Sequence, residues 1–276
     1  MKCLLTKTIN NNSKIKGKQF VSELLKALVW PFLFVLISYL INFIFSFIYF
    51  YNHQNTSPKE LSNYLNDNSL LMVLIIFIIF FPILFKKYQK ISLQPSQLKI
   101  KNIISLIIIG SSLAVILNII IYNLDKIIDL TERYDNINNK IMISLITTGI
   151  LGPILEEYLF RGVLYNKLKK FNSRKKAMIL TSIVFAIMHF EITQMFYAFI
   201  FSLVLTKIYE HYQNLKATII THISANSFII LNLNKIINLN ILTTVIVLIV
   251  CLIINYLLLN KYYNLTLNRH NLKSFD

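Results

Sequence analysis

Two adjacent carboxylates, Glu156 and Glu157, and an arginine one helical turn later, Arg161, sit inside the apolar stretch Gly152-Pro-Ile-Leu-Glu-Glu-Tyr-Leu-Phe-Arg-Gly162. Each ionisable side chain in hydrocarbon costs roughly 2.5–3.5 kcal/mol on insertion scales, so three together make a functional site the first reading. Arg161 follows Glu157 by four residues, which puts both on one helix face as an ion pair and assigns Glu157 a structural part. Glu156 points about 100° away and is the carboxylate left to act as a general base on water. Further along, Phe185 precedes His189 by one turn, and Thr218, His222 and Asn226 recur every four residues as one polar stripe. Taken singly, each histidine reads equally well as a helix-to-helix hydrogen bond, Glu157–Arg161 as a packing pair and Phe185 as core.

These residues need long apolar elements to hold them. Runs of spanning length, about 17–25 residues, occur at 27–51, 69–85, 102–123, 141–166, 176–192, 193–210, 215–233 and 239–259. The expected fold is therefore all-α, a polytopic membrane bundle of about eight helices, with the very short connection near Glu191 making 176–210 readable also as one bent hairpin. Lys86, Lys87, Lys90, Lys99 and Lys101 follow the second run, and Lys167, Lys169, Lys170, Arg174, Lys175 and Lys176 follow the fourth. The loops at 52–68 and 124–140 are mixed, with Asp125, Asp129, Glu132 and Asp135 offsetting Lys126, Arg133 and Lys140. The positive-inside rule then places both termini and the lysine-rich loops in the cytoplasm of a multi-pass cell-membrane protein. At about 1.5 Å per residue, Glu156, His189 and His222 fall in one layer, in the cytoplasmic half of the membrane or near its middle. Pro153 removes the helical hydrogen bond to the Gly149 carbonyl, so a kink with Gly149 and Gly152 is expected there.

Composition narrows the class. A 276-residue chain that is 55% hydrophobic, with five glycines and five prolines and a mean hydropathy of +0.59, is neither disordered nor an ordinary soluble domain. The net charge of +16 falls in loops between apolar runs, where it contacts anionic lipid headgroups; no soluble basic domain remains for nucleic acid. Cys3 and Cys251 supply neither a disulfide framework nor metal-ligand spacing. Residues 1–26 read as a basic cytoplasmic leader, with Phe20, Val21, Leu24 and Leu25 on a short interfacial helix and the first span retained. Residues 27–260 read as one transmembrane domain with its motifs at 141–235, and 261–276 as a cytoplasmic tail. Neither inverted repeats nor paired broken helices support a transporter.

Glu156-Glu157-x-x-x-Arg161, Phe185-x-x-x-His189 and His222-x-x-x-Asn226, in this order on core spans, resemble the CAAX-protease and bacteriocin-processing (CPBP) family of intramembrane proteases. That family includes type II CAAX prenyl endopeptidases and lysostaphin resistance protein A-like proteins. The resemblance covers about residues 141–235. It implies an eight-span bundle around a cavity open to the cytosol and hydrolysis of a small peptide or lipid-anchored protein near the cytoplasmic face, with bacteriocin processing or self-immunity as the role. By resemblance Glu156 activates water, His189 and Asn226 stabilise the oxyanion, and His222 positions the water or binds a metal, while Glu157 and Arg161 hold the geometry. His189 and His222 with a glutamate are a donor set for zinc, although a ligated Glu156 would not also be a free base; a metal-independent glutamate mechanism stands beside it. One departure concerns the sixth span, where members often carry two glycines and this chain has Ser202 and Thr206, small enough for close packing. The competing class is a non-catalytic membrane immunity or scaffold protein that binds a toxin or a membrane partner. The oligomeric state is not encoded in any of these features.

Overall fold

A computed structural model describes residues 2–53, 57–89, 97–128 and 141–272, with side-chain surroundings for those from 21 to 260 other than 125–128, 233–235 and 237. Among the described residues the chain is helical throughout: α1 (Lys2–Asn52), α2 (Pro58–Asp67), α3 (Ser69–Gln89), α4 (Ile100–Ile128), α5 (Ile141–Phe171), α6 (Arg174–Ile187), α7 (Ile192–Tyr212), α8 (Leu215–Ile237) and α9 (Ile241–Leu272). The leader lysines up to Lys18, Lys90 and the charges from Asp125 to Lys140 lie outside the described side chains.

Six helices, α1, α3, α4, α5, α7 and α9, are long and apolar enough to cross a membrane, which makes this a multi-pass membrane protein. Two of the eight expected spans fall below that length or apolarity. Helix α6 has 14 residues, about 21 Å at 1.5 Å each, short of the roughly 30 Å hydrocarbon core. Helix α8 has the length, with 23 residues, but its polar stripe lowers its apolarity. The run at 176–192 ends early because Met188 to Glu191 form a turn in which Phe190 takes a positive φ of 58°, a costly conformation for a bulky side chain. The expected interfacial helix in the leader is not separate, since α1 continues through it without a break. The helix α9 likewise runs past residue 260.

Helix α2 was read as loop. Its signal is present in the sequence as Ser57-Pro58-x-Glu60: the Ser57 backbone N–H donates to Glu60 Oε2 at 2.8 Å and Glu60 N–H donates to Ser57 Oγ at 3.3 Å, with Pro58 at the first helical position. This reciprocal pair satisfies two N–H groups that a helix start leaves open.

Lipid is as apolar as leucine, so helices associate through close approach and polar contacts rather than burial from water. Gly110 of α4 lies against α8 so closely that an added Cβ would collide with Ser224 Oγ and the Thr221 carbonyl. Asn255 Nδ2 of α9 donates to Ser112 Oγ of α4 at 2.8 Å, inside the bundle. Gly162 of α5 leaves room for the Tyr88 ring of α3, which an added Cβ would approach to 3.3 Å. Phe34 and Phe80 meet edge-on at 5.3 Å between α1 and α3. We expect Gly110→Ala to destabilise the bundle by about 1–3 kcal/mol or more through overpacking against backbone. The measurement is membrane abundance and melting temperature in detergent; wild-type values for both would show that α4 and α8 have room to part.

The basic ends of the helices gather. Lys169 of α5 is ion-paired with Glu210 of α7, Arg174 of α6 reaches the same carboxylate at 3.4 Å, Lys167 donates to the Lys26 carbonyl of α1 at 3.3 Å, and Lys87 of α3 lies 4.3 Å over the Trp30 ring. One end of the bundle is therefore rich in lysine.

Candidate active site

Helix α5 carries the central residues and continues through Pro153, where two π-helical stretches, Leu145–Leu151 and Tyr158–Tyr165, flank the α-helical Gly152–Glu157. Such wide turns are rare and recur at functional sites. The Gly152 N–H bonds the Thr147 carbonyl, a five-residue step. In that register the next carbonyl, Thr148, would need an N–H from residue 153, and a proline has none. That carbonyl accepts instead from Asn226 Nδ2 of α8 at 2.9 Å. The neighbouring Gly149 carbonyl lies 3.5 Å from Ser227 Oγ, and Gly149 has a Cβ-sized gap that Ser227 fills to 3.1 Å. Pro153 thus couples α5 to α8 and sets the orientation of the Asn226 amide.

Below this crossing lies a buried charged chain. Arg161 Nη1 donates to Glu157 Oε1 at 2.7 Å, and both side chains are 0% exposed. The second arginine nitrogen, Nη2, donates to Ser202 Oγ at 2.8 Å and to the Ser202 carbonyl at 3.2 Å on α7. The guanidinium also sits 4.9 Å from the Phe185 ring centre, within cation–π range. The same Glu157 Oε1 lies 2.8 Å from His222 Nδ1. A carboxylate can only accept, so Nδ1 carries the proton, and Nε2 is the ring nitrogen presented on the other side. That Nε2 faces Glu156 Oε2 at 3.7 Å. Arg161, Glu157, His222 and Glu156 form a relay from the bundle interior to a half-buried carboxylate.

Glu156, His189, His222, Asn226 and Phe185 all line one cavity of about 490 Å³. Asn118, Gln194, Tyr197, Phe201, Thr147 and Thr148 complete its polar and aromatic wall. His189 is placed differently from the expectation, since it lies in the turn after α6 and not within a span. Its Nδ1 is 2.8 Å from the Phe185 carbonyl, which can only accept, so Nδ1 is the protonated nitrogen and Nε2 is left for the cavity. Phe185 lies against both imidazoles, tilted to His189 at 4.8 Å and edge-on to His222 at 6.1 Å between ring centres. Phe201 covers His222 from the other side at 5.0 Å.

Sequence reasoning missed two parts of the site. Ser202 was read as a small packing residue, whereas it is the anchor of Arg161; a serine gives no local sign that a distant arginine ends on it. The π-helical register was also unread, although Gly149, Gly152 and Pro153 marked the place. Toward the lysine-rich end, Glu157, Arg161, Ser202, Leu205, Tyr165 and Tyr209 are all 5% exposed or less.

A structural or catalytic zinc needs at least three protein ligands. Among the described residues no three His, Cys, Asp or Glu side chains are gathered as such a set. In this arrangement the donors do not converge on one zinc position, and the chemistry below is derived without it.

Residues 138–228 match the family described as type II CAAX prenyl endopeptidase Rce1-like. Over 161 residues the chain is 28% identical to the membrane-embedded CAAX protease MroQ of Staphylococcus aureus strain USA300, covering 53% of this chain. The match spans 64% of that protein's length, less than two thirds. No solved structure matches the chain.

Proposed function

From the match of residues 138–228 to the type II CAAX prenyl endopeptidase Rce1-like family, we propose an intramembrane endopeptidase that hydrolyses a peptide bond with Glu156 as general base. The observation that carries the reading is the 3.7 Å separation of Glu156 Oε2 and His222 Nε2 across the cavity wall. The gap is too long for a direct hydrogen bond and fits a water that gives one proton toward each acceptor. His222 Nε2 can receive because Glu157, itself held by Arg161, fixes the proton on Nδ1.

Glu156 takes the proton as the water oxygen bonds to the scissile carbonyl carbon, and the C=O π electrons move to oxygen. The second N–H of Asn226 Nδ2, left over from the Thr148 contact, donates to that oxyanion. His189 Nε2 adds a donor when the ring is an imidazolium, because Nδ1–H is already bound to the Phe185 carbonyl. Glu156 then returns its proton to the nitrogen as the C–N bond breaks. Each preorganised oxyanion donor contributes roughly 10²–10³-fold in comparable sites. The substrate is a small peptide or a membrane-anchored protein, with bacteriocin processing or self-immunity as the biological setting. The positive-inside rule puts the lysine-rich end in the cytoplasm, and with it the N-terminal end of α1 and the C-terminal end of α9.

The test compares, by mass spectrometry, precursor and processed peptides in cells carrying wild-type protein or Glu156→Ala. Accumulated precursor supports a peptidase; identical peptide populations, or toxin protection that survives the substitution, would favour the scaffold reading. We also expect hydrolysis by purified protein to withstand chelators, with no stoichiometric zinc in elemental analysis. Loss of activity on chelation and recovery on adding zinc would overturn the metal-independent step.

A further inference from the structure

The cavity's two ends differ in a way that bears on where its substrate comes from. Its lining lies toward the lysine-poor end of the bundle: Val73 near the start of α3, Thr147 and Thr148 near the start of α5, Gln194 near the start of α7, and Ile229 and Ile230 in the second half of α8. Exposure follows the same gradient. Thr148 is exposed and Val73, Gln194 and Asn226 are half-buried, whereas Phe185, Phe201 and His222 are 1%, 1% and 3% exposed. Beyond them the Glu157–Arg161–Ser202 chain and the buried Tyr165 and Tyr209 fill the bundle up to the basic end. At that end stand Lys86, Lys87, Lys167, Lys169, Lys170, Arg174, Lys175 and Lys176. The opposite end carries Lys59, Glu60, Asp67 and Glu191, and in sequence the mixed segment from Asp125 to Lys140. So marked an asymmetry fixes orientation, because lysine and arginine near span ends are retained in the cytoplasm.

We propose that the cavity opens to the non-cytoplasmic side and takes an exported peptide segment from that face. This rests on the peptidase reading of the same cavity and goes beyond it by specifying the substrate's side and character. Apart from Glu156, the two histidines and the Tyr197 phenol, the cavity lining carries no titratable side chain and no lysine or arginine, so the segment that enters is uncharged. It meets the Gln194 amide, the Tyr197 and Phe201 rings, and Asn118 before reaching Glu156. A cytosolic lipid-anchored protein would have to pass the closed basic end. Cleavage therefore follows, or accompanies, transfer of the peptide across the membrane, and a translocation step supplies the substrate.

The test reads orientation directly. In full-length protein with Cys3→Ser and Cys251→Ser, Gln194→Cys or Thr148→Cys at the mouth and Lys170→Cys at the basic end are treated with a membrane-impermeant maleimide. Labelling is compared between intact cells and permeabilised cells. The expected result is labelling of the mouth cysteines in intact cells and of Lys170→Cys only after permeabilisation. The proposal is overturned if Lys170→Cys reacts in intact cells, or if both mouth cysteines react only after permeabilisation or in neither state. Two mouth positions guard against one variant failing to fold. Labelling does not depend on hydrolysis, so the proposal can fail while the peptidase reading stands, and the peptide comparison can fail while the orientation stands.

Discussion

Replacing Glu156 with glutamine is expected to lower peptide hydrolysis by about 10²–10⁴-fold, the usual contribution of a positioned general base, with membrane abundance unchanged. Two features separate the effects. The Glu156 side chain is 27% exposed at the cavity wall and lies 3.7 Å from His222, so its amide isostere strands no buried charge. The reaction, however, needs a group that takes a proton from water and returns it, and an amide does neither. Glu157→Gln is the informative companion. That change leaves Arg161 as a buried cation without its carboxylate and frees His222 Nδ1 from its fixed proton, so abundance and activity fall together. Activity and abundance are measured on the same membrane fractions. Full activity in Glu156→Gln would remove the general base from the mechanism, and matching profiles for the two glutamate variants would remove the division between them.

Arg161→Ala is expected to cost about 3–5 kcal/mol of stability, the range for breaking one side of a buried pair. For a fold whose whole margin is of order 5–15 kcal/mol, that means a several-fold fall in membrane abundance. The arginine satisfies three groups that have no water: Glu157 Oε1 at 2.7 Å, Ser202 Oγ at 2.8 Å and the Ser202 carbonyl at 3.2 Å. Its removal leaves the buried Glu157 carboxylate without its cationic partner, held by His222. Arg161→Lys keeps the charge but offers one nitrogen where the fork used two on different helices, so it should fall between wild type and alanine. Ser202→Ala should be milder, since the Ser202 carbonyl remains. Abundance in the membrane fraction and melting temperature in detergent measure the series. Normal yield together with full activity in Arg161→Ala would show that the pair is not a buried tie.

The local spacings of this chain are enough to read its helical, membrane-spanning character and the pairing of Glu157 with Arg161, because both depend on periodicity within one helix. Apolar runs mark spans, and four-residue separations mark faces. The candidate set Glu156, Phe185, His189, His222 and Asn226 could be listed from the same spacings, since buried ionisable groups are costly wherever the helices pack. Helix α6 is shorter than its apolar run because run length does not register a turn: the positive φ of Phe190 follows the end of the helix in which His189 was expected.

What tertiary structure alone decided are relations between helices. That Arg161 ends on Ser202, that the Thr148 carbonyl orphaned by Pro153 is claimed by Asn226, and that one Glu157 oxygen holds both Arg161 and His222 depend on axial offsets no spacing records. The cavity's direction is of the same kind. The sequence by itself determines which end is basic; only the packing of Glu157, Arg161, Tyr165 and Tyr209 decides which end is closed. The reason is physical: periodicity reports the angle of a side chain about its own helix, whereas contact between helices depends on how far each is shifted along its neighbour, and that is set by the whole core.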